Sequence, residues 1–141
     1  MNGEIEAVIS GGRVADEGEH EYLELTNDDA LLIVSVNRSY PGLSSYDASR
    51  YAWRVSPERA KRVEYVIATK NRRVVGVFRP SAWKPATIGN FPEFNKERPG
   101  RIGFVGTPAS GAVAARFIGK LLPADFRFSG NGYRYAGKLG T

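Results

Sequence analysis

The run "LLIVSV" at 31–36 limits what this chain can fold into more than any other stretch. It is far too short to cross a bilayer, and the polar "NDD" before it and "NRSYPG" after it mark both ends. Such a segment reads as a buried central strand. Around it apolar residues mostly recur at every second position. "EIEAVIS" (4–10) and "EYLEL" (21–25) alternate charged with apolar residues, as half-buried strands do, with a glycine-containing loop between them. "VEYVIATKNRRVVGVFRP" (63–80) sets two β-branched runs about a basic turn and predicts an antiparallel hairpin, with Gly76 marking a bulge or a close approach.

Helical signals are fewer. In "SPERAKR", Ser56 is placed to cap, Pro57 to start and Glu58 to sit in the first turn of a helix of roughly two turns. "SGAVAARFIGKLL" (110–122) carries Val113, Phe117 and Leu121 at helical spacing, weakened by Gly111 and Gly119. Residues 37–53 read as an ordered loop with room for a helical turn. Residues 80–101 read as a long Pro/Gly-rich loop, a kind that is usually functional or disordered, and its aromatics favour partial packing. "RIGFVG" (101–106) predicts a strand, and "FRFSGNGYRYAG" a hairpin about Asn131-Gly132. The expectation is an α+β, mainly antiparallel fold: a small curled sheet or barrel of roughly seven short strands with one or two short helices. Its length predicts a single domain over 1–141.

Charge is divided unevenly. Residues 1–30 hold nine acids against Arg13 alone, whereas 31–141 hold nineteen bases against six acids. An acidic segment ahead of a basic body suits a polyanion-binding protein, and the segment itself is expected to compete with the polyanion. The absence of cysteine excludes disulfides and thiolate metal sites. It also suits a reducing, cytoplasmic setting, and no signal-peptide pattern is visible. His20 has no second histidine to share a zinc ion, and no P-loop or nucleophile elbow is present. No catalytic residue, metal or cofactor is called for, although the N-terminal acids leave room for a carboxylate-bound Mg²⁺.

Arginine supplies fourteen of the twenty bases and is interleaved with aromatics in "RYAWR", "RPSAWK", "FRF" and "YRY". Its planar fork binds phosphate and stacks on bases, and aromatic faces take up unstacked bases. In "FRF" and "YRY" the period of two makes the aromatics ordinary core. Trp53 and Trp83 stand at loop or helix starts, and for them a core role and a ligand-wall role are open alternatives. Tyr51, Trp53 and Trp83, with Arg50 and Arg54, are the candidate ligand-binding residues. Lys70, Arg72 and Arg73 in the hairpin turn, with Arg79 and Lys84, are the candidate phosphate contacts, a solvated turn being the plain alternative.

From Tyr51 through Trp83 the chain also shows "W-R", "ERA", "Y-V-I-A", a basic turn, "V-x-G-V-F" and "W" in that order. This resembles a pattern in small bacterial and phage proteins, and its order of elements is similar to PUA-like domains, the superfamily of EVE and ASCH modules. The resemblance implies a small curled barrel that binds RNA or cradles a modified base, with Trp53 and Trp83 in the pocket wall. The leading expectation is therefore a nucleic-acid-binding module that recognises a modified or extruded base. The alternative is a binder of a small anionic, nucleotide-like ligand in a homo-oligomer. A metal-dependent phosphodiesterase ranks third.

Overall fold

The computed structural model describes residues 21–140. The predicted strand at 4–10, the loop after it, His20 and most of the acidic segment lie outside the described residues. Five strands form one open sheet: β1 (Ala30–Ser35), β2 (Tyr65–Lys70), β3 (Arg73–Pro85), β4 (Ile102–Pro108) and β5 (Tyr133–Gly137), in the order β4-β3-β2-β1-β5. β1 and β2 run parallel, and the other three pairings are antiparallel. The fold is thus a small, mainly antiparallel α+β fold that is not closed into a barrel.

The "LLIVSV" run is apolar at consecutive positions because β1 is buried on both faces. Leu32 and Val34 join one core with Val66, Ala68, Phe78 and Phe104. Leu31 and Ile33 join a second with Ile67, Val77, Phe117 and Leu122. The crossover from β1 to β2 carries α1 (Ser45–Arg50) and α2 (Pro57–Ala60), whose Ala48 and Ala60 cover the first core. Helix α3 (Gly111–Phe117) covers the second through Phe117. The expected cap of α2 is in place: Ser56 Oγ accepts from the Arg59 N–H at 3.1 Å, although the helix is one turn rather than two.

The predicted hairpin is β2–β3. Its turn residues Asn71 and Arg72 both have positive φ, as a two-residue hairpin turn requires, and the register shifts by a bulge opposite Ala68/Thr69. Gly76 faces the Phe78 ring and Ser45 Oγ, and a Cβ there would lie 2.8 Å from each. Three expectations are corrected. Residues 80–85 are strand, because β4 supplies partners as far as Pro85 and the disturbance at Pro80 is absorbed by a second bulge. "EYLEL" forms only an isolated bridge, Tyr22 to Leu121, with Leu23 buried. "FRFSGNGYRYAG" is no hairpin: residues 126–128 are not strand, and β5 pairs with β1 instead.

Trp53 and Arg54 span the two edges of the sheet. Trp53 exchanges backbone hydrogen bonds of 2.8 and 3.1 Å with Ile102 of β4, and the Arg54 carbonyl accepts from the Tyr133 hydroxyl of β5 at 2.6 Å. No helix among the described residues is long and apolar enough to cross a membrane.

Candidate functional site

A cleft of about 560 Å³ opens where β1 ends. Its walls come from four separate turns. After Val36 the chain folds back tightly, the Ser39 and Tyr40 N–H groups donating to the Val36 carbonyl, and this turn carries Arg38. Opposite is Arg98-Pro99-Gly100-Arg101, in which the Arg101 N–H donates to the Arg98 carbonyl at 3.2 Å. Proline followed by a glycine of φ +77° is what a type II turn demands, and two backbone hydrogen bonds to Ala86 pin both arginines at its base. Gly130-Asn131-Gly132 closes a third side, tied to β1 by the Ser35 N–H donating to the Gly132 carbonyl at 2.9 Å. Tyr51 and Trp53 supply the fourth.

The two aromatics are fixed from behind. Tyr51 stacks on Phe94 at 4.2 Å between centroids, nearly parallel, and its hydroxyl donates to the Lys96 carbonyl. Trp53 donates its indole N–H to the Ser49 carbonyl at 2.8 Å and meets Tyr133 edge-on. Both rings are half-buried. Trp53 therefore packs against the first core and also lines the cleft. One face of Tyr51 is already taken by Phe94 and is closed to a ligand.

Arg38, Arg98 and Arg101 give the cleft its charge. None of them forms an ion pair with a carboxylate among the described residues. Guanidinium groups and aromatic rings are, as side-chain types, able to take up an anion carrying a flat group. The sequence reading missed all three arginines. For Arg98 and Arg101 the signal lay in the long Pro/Gly-rich loop expected to be partly packed, whose turn they flank; Arg38 carried no such signal.

The predicted site residues divide. Tyr51 and Trp53 line the cleft. Lys70 stands at its rim, donating through Nζ to the carbonyl of Asn37, itself a lining residue, at 2.6 Å. Arg50 does not face the cleft as a phosphate contact. It is 6% exposed, donates to Asp47 at 2.9 Å and to Glu93, and lies over the rings of Tyr46, Phe91 and Phe94. An arginine in "RYAW" can look free in sequence because Glu93, its distant partner, is invisible locally. Trp83 packs against the same core as Trp53 but does not line the cleft; it lies 5.1 Å from Phe104, with its buried indole N–H lacking a partner among the described residues. Arg72 and Arg73 turn away from the cleft and donate to the carbonyls of Pro123 at 2.6 Å and Gly119 at 2.8 Å, bracing the chain after α3. Arg54, Arg79 and Lys84 are exposed outside the cleft, Arg79 beside a smaller hollow formed with Tyr65 and Thr107.

Gly103 on β4 lets this layer close. A Cβ there would collide with the Arg50 carbonyl and lie 3.0 Å from the Phe91 ring. Among the described residues no group of three metal-ligating side chains comes together, and Asp29 is bound to Arg116 by two hydrogen bonds of 2.7 and 2.8 Å. No known protein family, curated protein or solved structure matches the chain.

Proposed function

We propose that the cleft at the end of β1 binds single-stranded nucleic acid, with an unstacked base against Trp53 and its phosphates on Arg38, Arg98 and Arg101. The observation that carries this reading is the convergence of three arginines, unpaired with carboxylates among the described residues, on a cleft walled by two aromatic rings. The chemistry is that of a base-stacking platform with a basic rim. A duplex hides its base faces within the stack, so a single strand or an extruded base fits this wall better. Lys70 at the rim extends the basic surface.

Fluorescence anisotropy with labelled single- and double-stranded RNA and DNA at two salt concentrations tests the reading. Single strands should bind more tightly than duplexes, and affinity should fall with salt. Arg98→Ala and Arg101→Ala should each weaken binding about tenfold, since a charge-assisted hydrogen bond is lost. Trp53→Ala should weaken it without changing the salt slope. Unchanged binding by both arginine variants would overturn the assignment of the cleft. A melting-temperature rise with one free nucleotide, and no polymer bound, would favour the small-ligand alternative.

A further inference from the structure

A second cleft, of about 400 Å³, adjoins the first at Asn131, which lines both. It repeats the same chemistry with different residues: Arg59, Arg127 and Arg134 beside Phe128 and Tyr133. Each guanidinium is oriented by backbone carbonyls. Arg127 Nη1 donates to the carbonyls of Ala124 at 2.7 Å and Phe126 at 3.2 Å, Arg134 Nη1 donates to the Arg127 carbonyl at 3.1 Å, and Arg59 donates to Leu139. Rings hold two of them as well, with Arg59 lying 4.0 Å from the Tyr135 centroid and Arg134 lying 5.1 Å from that of Phe126. Carbonyl partners orient a guanidinium without cancelling its charge. None of the three is paired with a carboxylate among the described residues.

Two neighbouring clefts lined by three arginines each are more than one mononucleotide can fill. We infer that the second cleft is a further phosphate subsite for the same strand, so that the ligand is a polymer crossing the Ser129–Gly132 turn. This rests on the reading of the first cleft as a nucleic-acid site, and it adds the ligand's size class and direction of travel. Arg59, Arg127 and Arg134 are its phosphate contacts, and Asn131 is the ridge between the two halves.

The experiment compares thymidine monophosphate with oligothymidylates of graded length up to about 16 nucleotides, with matching oligouridylates, on the full chain. Three proteins are measured: wild type, Arg98→Ala, and the double variant Arg127→Ala/Arg134→Ala. Affinity should climb with length beyond one nucleotide. The double variant should lose about a hundredfold on long oligomers, about tenfold for each arginine. Its log–log salt slope should flatten by about 1.4, as two lost single-strand phosphate contacts require. Its affinity for thymidine monophosphate should stay at the wild-type value, whereas Arg98→Ala should weaken both ligands. Long oligomers binding no tighter than the monophosphate, or binding the double variant as they bind wild type, would overturn the second subsite and leave the first standing. Binding of neither monophosphate nor oligomer would remove the first-cleft reading and this inference together.

Discussion

Replacing Arg50 with methionine separates a brace from a ligand contact. The guanidinium pairs with Asp47 inside α1, ties the helix to the Pro92–Phe94 turn through Glu93, and lies 4.7 to 5.5 Å from three aromatic centroids. Asp47 and Glu93 are each more than a third exposed, so both return to water when the arginine goes, and each ion pair is worth about 1 kcal/mol or less. The cation–π contacts of a desolvated guanidinium add about 1–2 kcal/mol. Methionine keeps much of the aliphatic packing, so Arg50→Met should cost about 2–4 kcal/mol in all. At about 4 °C per kcal/mol for a domain of this size, the melting temperature should fall by about 8–16 °C. Thermal and urea unfolding measure this, and Arg50→Lys should recover only part of the loss, because an ammonium lacks the planar fork. A melting temperature within about 2 °C of wild type, together with abolished oligonucleotide binding, would refute the bracing role and return Arg50 to the ligand site.

Three further substitutions have definite expected outcomes. Tyr135 buries its hydroxyl without a partner among the described residues, and burial pushes the phenol above its ordinary value. Tyr135→Phe should stabilise by up to about 1 kcal/mol at neutral pH. The protonated phenol supports the folded state below the ordinary value near 10, and that support is lost as pH rises, so the variant's advantage should widen in alkaline urea melts. A destabilised variant would mean that the hydroxyl has a partner. The Asp29 carboxyl is held below its ordinary value, mainly by the hydrogen bonds from Arg116, with burial opposing and Thr26 assisting. Asp29→Ala should cost about 1–3 kcal/mol at pH 7, discounted because Arg116 is partly exposed. That deficit should shrink below about pH 4, as wild-type Asp29 protonates, and a pH-independent deficit would speak against the pair. Gly103→Ala should destabilise by about 1–3 kcal/mol in thermal melts, because the Arg50 carbonyl and Phe91 leave no room for a methyl group; an unchanged melting temperature would show that this layer yields.

What was legible in the sequence was what neighbouring residues decide. β1, the β2–β3 hairpin and the Ser56–Pro57 helix start each follow from a few adjacent side chains. Features that depend on distant partners were not legible. Pro80 and Pro85 signal a loop, yet β4 recruits both into a strand. Asn131-Gly132 signals a local hairpin, yet Tyr133–Gly137 finds a better partner in β1, whose hydrogen-bonding edge on that side is otherwise unpaired. The candidate site divides in the same way. Tyr51 and Trp53 were readable as aromatics at the end of a loop, but Arg38, Arg98 and Arg101 meet only because two turns far apart in the chain converge. Arg50 is the converse case, a charge in an aromatic context whose carboxylate partner lies far along the chain.

The pairing of β1 with β5 also sets an order of events during synthesis. One of the two neighbours of β1, paired through Ala30↔Gly137 and Val34↔Tyr133, is synthesised long after β1 itself and after β2. Until then Leu31 to Val34 can pair with β2 alone, leaving one row of amides open to water or to a foreign strand. Loop closure over such a span is slow compared with the local β2–β3 hairpin. Nascent chains stalled before residue 133 should therefore expose β1 to chaperones and proteases, and emergence of residues 133–137 is the step that shelters it.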